Sequence, residues 1–205
     1  MRVGVNSRLL LKDRLEGIGY FTLKNLERLA KNHPDCEFVL FFDRPYDRDF
    51  VFADNVKPIV IPLPTRHPML WHIYFEILLP IYIRLYKIDV FFSPEGYIPT
   101  RVKTPKLCTI HDINFEHEKT YIGNKVYQRY MEYFTPRFAK SASAVLTVSE
   151  FSKQDIATTY KIDENKIFNV ESSANEDYIT YWEKENEITR ERYSNSCPYF
   201  YFVGS

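Results

Sequence analysis

Short, β-branched apolar runs recur along this chain with amphipathic helical patterns between them, and that alternation restricts the fold more than anything else in the sequence. RVGVN at residues 2–6 alternates and is β-branched. CEFVLFF at 36–42 is apolar on both faces, so it needs cover on both sides and suits a parallel strand under helices. Further strands are predicted for VKPIVIPLP (56–64), IDVFFSP (88–94), PKLCTIHD (105–112), ASAVLTVS (142–149) and KIFNV (166–170). A last one is predicted for YFYFV (199–203). Between them, Phe21, Leu23, Leu26, Leu29 and Ala30 recur at helical spacing, and His33 with Pro34 stops that helix. Helices are also predicted over 69–87, kinked or broken near Pro80, and over 123–140, 150–160 and 184–193. Ser149 is placed to cap the helix at 150–160. The order implies an α/β fold: a Rossmann-like open parallel sheet, flanked by helices and wound with right-handed crossovers.

The final predicted strand has no helix after it. In a βα fold the crossover covers the strand's face. The expectation is therefore a first domain at 1–196 and, at 197–205, the opening strand of a second. An uncovered terminal strand also predicts self-association through that edge.

Composition excludes several classes of function. Lys plus Arg number 27 and Asp plus Glu 27. A chain without basic excess is not expected to bind nucleic acid. Cys36, Cys108 and Cys197 are odd in number and far apart, forming neither a disulfide framework nor a metal knuckle, and are read as inert core thiols. Residues 69–86 are the most apolar stretch, but His72, Glu76, Pro80 and Arg84 disqualify it as a membrane span. With no leader visible at the start, a cytoplasmic protein is expected. The interleaved tyrosines, phenylalanines and cations of 125–140 suit either a core helix with a basic face or a peripheral contact with anionic lipid.

Open parallel sheets bind ligands at the carboxyl ends of their strands. That rule selects Gly17 and Gly19 in EGIG, Glu95 in SPEG, His111 with Asp112, and Arg8 in the first loop. The glycines precede a helix, so they serve either a plain turn or the approach of a sugar or phosphate to free N–H groups. GxGxxG is incomplete because position 22 is Thr, which argues against a dinucleotide oxidoreductase. His111 is either a satisfied core histidine or a hydroxyl ligand, and Asp112 could orient it. HDxxxxH is no zinc signature, so no metal is expected. Glu95 would bind an acceptor hydroxyl or cap a turn, and Arg8 would face an anion or solvent.

These segments together resemble one family. NSRLLLKDRLEGIGYFTLKNLERL, FFDRP, SPEGYIP, TIHDINFEH and LTVSEFSKQDIATTYKIDENKI resemble the N-terminal domain of retaining glycosyltransferase family 4. The resemblance implies a GT-B architecture, two Rossmann-like domains across a cleft, with this chain as the N-terminal half. It implies transfer of a sugar from a nucleotide-diphosphate sugar donor to a hydroxyl of a glycan or lipid-linked acceptor, with retention and without cofactor or metal. Gly17 and Gly19 then match the glycine-rich loop near the diphosphate. His111 matches the sugar-facing histidine with Asp112 beside it, and Glu95 and Arg8 fall on the acceptor side. In place of the Asn-Gly pair often found after the seventh strand, this chain has Ser172 and Ser173. The half alone is expected to be inactive. The rival class is a non-catalytic nucleotide- or protein-binding module.

Overall fold

A computed structural model describes residues 1–65, 67–118, 123–172 and 184–200. They fall into two units, Met1–Glu171 and Ser172–Ser205. The first holds seven parallel strands: β1 (Arg2–Asn6), β2 (Glu37–Phe42), β3 (Val56–Val60), β4 (Val90–Ser93), β5 (Lys106–Thr109), β6 (Ala144–Thr147) and β7 (Ile167–Asn169). Their order across the sheet is β3-β2-β1-β4-β5-β6-β7. The winding leaves β1 toward β2 and β3, then returns across the sheet to β4. The reversal falls between β1 and β4, where Val5 pairs with Phe92. Such a switch point leaves a crevice at the carboxyl ends of the two strands.

The predicted order of elements matches. α1 (Gly17–Asn32) follows β1, and α2 (Pro68–Ile73) with α3 (Leu79–Leu85) follows β3. The short α4 (Asn114–His117) and the long α5 (Lys125–Ser141) lie between β5 and β6. α6 (Glu150–Tyr160) joins β6 to β7, with the Ser149 hydroxyl accepting from the Ser152 N–H as its cap. The second unit carries α7 (Lys184–Ser194). Within the terminal segment predicted as strand, Tyr199 and Phe200 are not in a strand, and 201–205 lie outside the described residues.

Two departures have local causes. The helix predicted from Phe21 starts at Gly17, so both glycines sit in its first turn rather than in a preceding loop. The break expected near Pro80 is a π-helical turn, Tyr74–Leu78, just before it. Leu79 donates to the Tyr74 carbonyl five residues back. Pro80, lacking an N–H, then falls in the first turn of α3, where no donor is needed. No helix among the described residues is long and apolar enough to cross a membrane.

β2 bears out the two-faced reading: Phe38 to Phe42 are all nearly inaccessible. Phe41 and Val39 point into one core with Tyr74, Phe75, Leu79, Phe138 and Ile156. Leu40 and Phe42 point into the other with Leu26, Ala30 and Phe50. Thus α2, α3, α5 and α6 cover one face of the sheet and α1 the other. Cys36 and Cys108 are core thiols as expected, and burial pushes the Cys108 thiol far up. Cys197 is instead exposed, which corrects its reading as a core residue.

Candidate functional site at the carboxyl rim

The crevice between β1 and β4 is built around a buried charge. Arg8, two residues past β1, is 8 % exposed, and its Nε donates to Glu95 Oε1 at 2.5 Å. Its guanidinium lies over the rings of Tyr97 (4.7 Å), Trp71 (5.3 Å) and Phe75 (5.9 Å). Burial works against the charge, but the Glu95 carboxylate outweighs it and holds Arg8 above its ordinary value. The solvated-surface reading of Arg8 is therefore overturned. Flat guanidinium faces tolerate aromatic cages that would strand a hydrated ammonium.

Neighbours complete the lock. Asn6, the last residue of β1, donates from Nδ2 to Glu95 Oε1 (2.6 Å) and to the Ser93 hydroxyl (3.1 Å). Arg8 also donates to Thr65 Oγ1 (3.1 Å), and that hydroxyl donates to Asp43 Oδ2 (2.5 Å). Asp43 immediately follows β2, is fully buried and takes two further hydrogen bonds from Arg44. Burial pushes its carboxyl up, but the Arg44 and Thr65 hydrogen bonds prevail and hold it below the ordinary carboxylate value. The Asn6 and Arg8 hydrogen bonds to Glu95 both fall on Oε1.

Glu95 and Arg8 form one wall of a cavity of about 360 Å³. His111 and Asp112, just past β5, form another, and Ile18 of α1 closes a side. His111 Nε2 lies 3.0 Å from the Pro94 carbonyl. A carbonyl only accepts, so Nε2 is the donor of this contact, and Nδ1 is left for another partner. The edge of Phe21, in the second turn of α1, holds the imidazole at 5.0 Å between centroids. Asp112 is exposed, and its Oδ1 accepts from the Asn114 N–H at the start of α4.

The two glycines differ. A Cβ on Gly17 would meet nothing within 4 Å, so its exposed backbone is open to approach. A Cβ on Gly19 would sit 3.0 Å from the Leu9 carbonyl and the Leu15 side chain, so Gly19 lets the first loop pack on the helix. Glu16, at the cap position, makes no side-chain cap, and no acidic residue lies in the first turn. The first N–H groups of α1 are left without an internal partner, an arrangement that favours an anion.

Several cavity residues are absent from the predicted set. Tyr97 follows Gly96, whose φ of +85° turns the chain so that Glu95 and Tyr97 both line the space. Tyr127, Met131, Thr135 and Phe138 come from α5. Their spacing marks an inward helical face, which was the available signal. The Tyr97 hydroxyl lies 3.3 Å from that of Tyr127 and 2.8 Å from Met131 Sδ. Thr109 and Thr135 also line the cavity. Among the described residues, their buried hydroxyls have no hydrogen-bond partner. Among the described residues, no group of three His, Cys, Asp or Glu side chains could hold a metal.

Comparison with known proteins agrees with this geometry. The Glycosyltransferase Family 4 model matches residues 15–170. The chain is 27 % identical over 181 residues to O-antigen chain mannosyltransferase B of Escherichia coli, covering 82 % of this chain and 46 % of that protein. It is 32 % identical over 139 residues to O-antigen chain mannosyltransferase RfbU of Salmonella typhimurium, covering 66 % and 38 %. It thus spans less than half the length of these relatives. A glycosyltransferase of Rickettsia africae shares the fold, with a TM-score of 0.51 at 18 % identity over 94 % of this chain and 48 % of that one. So does Anabaena HepE, solved with UDP and glucose, at 0.53 and 10 % identity over 94 % and 50 %.

Proposed function

Because the chain belongs to glycosyltransferase family 4, we propose that it forms the acceptor-side lobe of an enzyme that moves a sugar from a nucleotide-diphosphate donor to a hydroxyl, with retention. The observation that carries this reading is the cavity at the carboxyl rim. It brings Glu95, His111, Asp112, Thr109 and Thr135 together beside the uncapped start of α1. Its mixture of apolar wall and convergent polar groups suits a sugar ring better than a flat protein surface.

In the proposed reaction the bond from the anomeric carbon to the diphosphate oxygen breaks, and the acceptor oxygen bonds to that carbon on the same face. The acceptor proton passes to the departing diphosphate, the nearest base on that face. Negative charge grows on the diphosphate as the sugar becomes oxocarbenium-like, so fixed donors lower the barrier. The Gly17–Gly19 amides would meet that charge. His111 would accept a donor-sugar hydroxyl at Nδ1, with Asp112 holding the turn beside it. Glu95 would orient the acceptor hydroxyl through Oε2, while Arg8 fixes Glu95. The acceptor is a glycan or a lipid-linked sugar, and the names of the two relatives make a nucleotide-diphosphate mannose the first donor to test. Coverage of less than half of those relatives supports placing catalysis in a two-lobed protein, with the 205 residues alone inactive.

The test is a screen of nucleotide sugars against the longer protein, with the product's anomeric configuration read by NMR. Transfer that is lost in His111→Ala while the fold survives supports the reading. Wild-type turnover in that variant overturns the role of His111. Saturable nucleotide binding with no transfer to any glycan or glycolipid favours the non-catalytic module.

A further inference from the structure

The cavity wall carries a fixed cation, and its own neighbour cancels it. Among the described residues that line the cavity, Arg8 is the only lysine or arginine, whereas Glu95 and Asp112 are both carboxylates. Arg8 commits its Nε to Glu95 Oε1 at 2.5 Å and its Nη1 to Thr65. The Tyr97, Trp71 and Phe75 rings lie over its guanidinium. The side chains of the pair are 9 % and 3 % exposed, so water screens their charges little. Behind them Asp43 is matched by Arg44, and the backing adds no net charge.

The rest of this end of the cavity is uncharged. Tyr97, Tyr127, Met131 and Phe138 line it, and the two tyrosine hydroxyls meet at 3.3 Å. Burial pushes the Tyr97 phenol far up, so it stays neutral. An anionic ligand group brought here gives up water to an apolar surface and meets carboxylates, while the wall's cation is already paired. A neutral sugar ring meets no such penalty: its hydroxyls donate to a carboxylate, and its apolar face packs on aromatic rings.

We propose that Glu95 is a specificity-determining residue: by neutralising Arg8, it restricts the Arg8–Glu95–Tyr97 end of the cavity to an uncharged acceptor sugar and excludes a ring that bears a carboxylate or phosphate. This rests on the sugar-transfer reading and deepens it, from the orientation of an acceptor hydroxyl to the class of sugar that carries it. The uncapped start of α1 remains the place for an anion, so the two kinds of ligand group are sorted within one site.

The experiment is an NMR titration of the isotopically labelled chain with methyl glycosides in pairs, each neutral hexoside against the uronate of the same sugar. Glucosides, mannosides and galactosides are run alike, and affinity is read at the Gly96 amide, which lines this end of the cavity. In the wild type each neutral glycoside should bind about tenfold tighter than its uronate. Glu95→Gln leaves Arg8 without its counter-ion and should shift that ratio about tenfold toward the uronate. Arg8→Gln leaves Glu95 alone and should shift the ratio the other way. Opposite signs separate charge from lost packing, and if Glu95→Gln does not fold, the wild-type ratio and Arg8→Gln carry the test. A uronate that moves Gly19 alone sits at the start of α1 and counts as no binding at this wall. Uronates that bind at Gly96 as tightly as their neutral partners, or a ratio unchanged in the variants, overturn the role of Glu95 and leave sugar transfer standing. If no glycoside of either kind moves Gly96, the sugar-transfer reading falls and this inference falls with it.

Discussion

The two walls of the cavity are built on opposite plans. The wall of Arg8 and Glu95, backed by Thr65 and Asp43, is buried and cross-linked by short charged hydrogen bonds. The wall of His111 and Asp112 is half-exposed to exposed, and each member has one light tether. One wall therefore holds shape, and the other is free to meet a ligand. Preorganisation of a binding group depends on such a rigid support behind it.

The strongest way to break this contrast is Glu95→Ala. It leaves Arg8 charged, buried and unpaired, and should cost about 3–5 kcal/mol in chemical denaturation. His111→Ala should leave stability within about 1 kcal/mol, yet lower turnover of the proposed two-lobed enzyme about a hundredfold. If His111→Ala destabilises as much as Glu95→Ala, the two walls are not different in kind.

Acid sharpens the same contrast. Asp43 is held below its ordinary value of 3.8 in the folded state, so it stabilises the protein fully above that value. That contribution is lost as pH falls through the lower folded value. Asp43→Asn should remove stability at neutral pH and flatten the acid limb of a denaturation-midpoint profile. An acid limb identical to wild type would show that the locked wall does not depend on this charge.

The smallest expected effect separates the two glycines. Gly17→Ala meets open space and should stabilise the chain by about 0.5 kcal/mol through helix propensity. Gly19→Ala gains the same propensity but presses on the Leu9 carbonyl and should be neutral or worse. Thermal unfolding of the pair reads the difference. Activity of the proposed two-lobed enzyme should fall in Gly17→Ala if a diphosphate approaches there.

Much of the fold was legible from pattern, because burial on two faces leaves a mark on local sequence. The run 36–42 needs cover on both sides, and only a parallel sheet between helix layers provides it. Ser149 as a cap was legible for a similar reason, since capping acts over three residues. The π-turn was not, because Pro80 announces a missing donor without saying how the backbone accommodates it.

Strand ends nominated Arg8, Glu95, His111 and Asp112 by themselves, and the tertiary structure placed all four around one cavity. Only that structure could decide that Arg8 is caged, for its partners lie at Thr65, Trp71, Phe75, Glu95 and Tyr97. Only it could place Thr109 and Thr135, from a strand and a distant helix, around one space with unmet hydrogen bonds. Periodicity reports which side of an element is buried. Which side chains then meet at the rim depends on how the crossovers wind, and no local pattern carries that information.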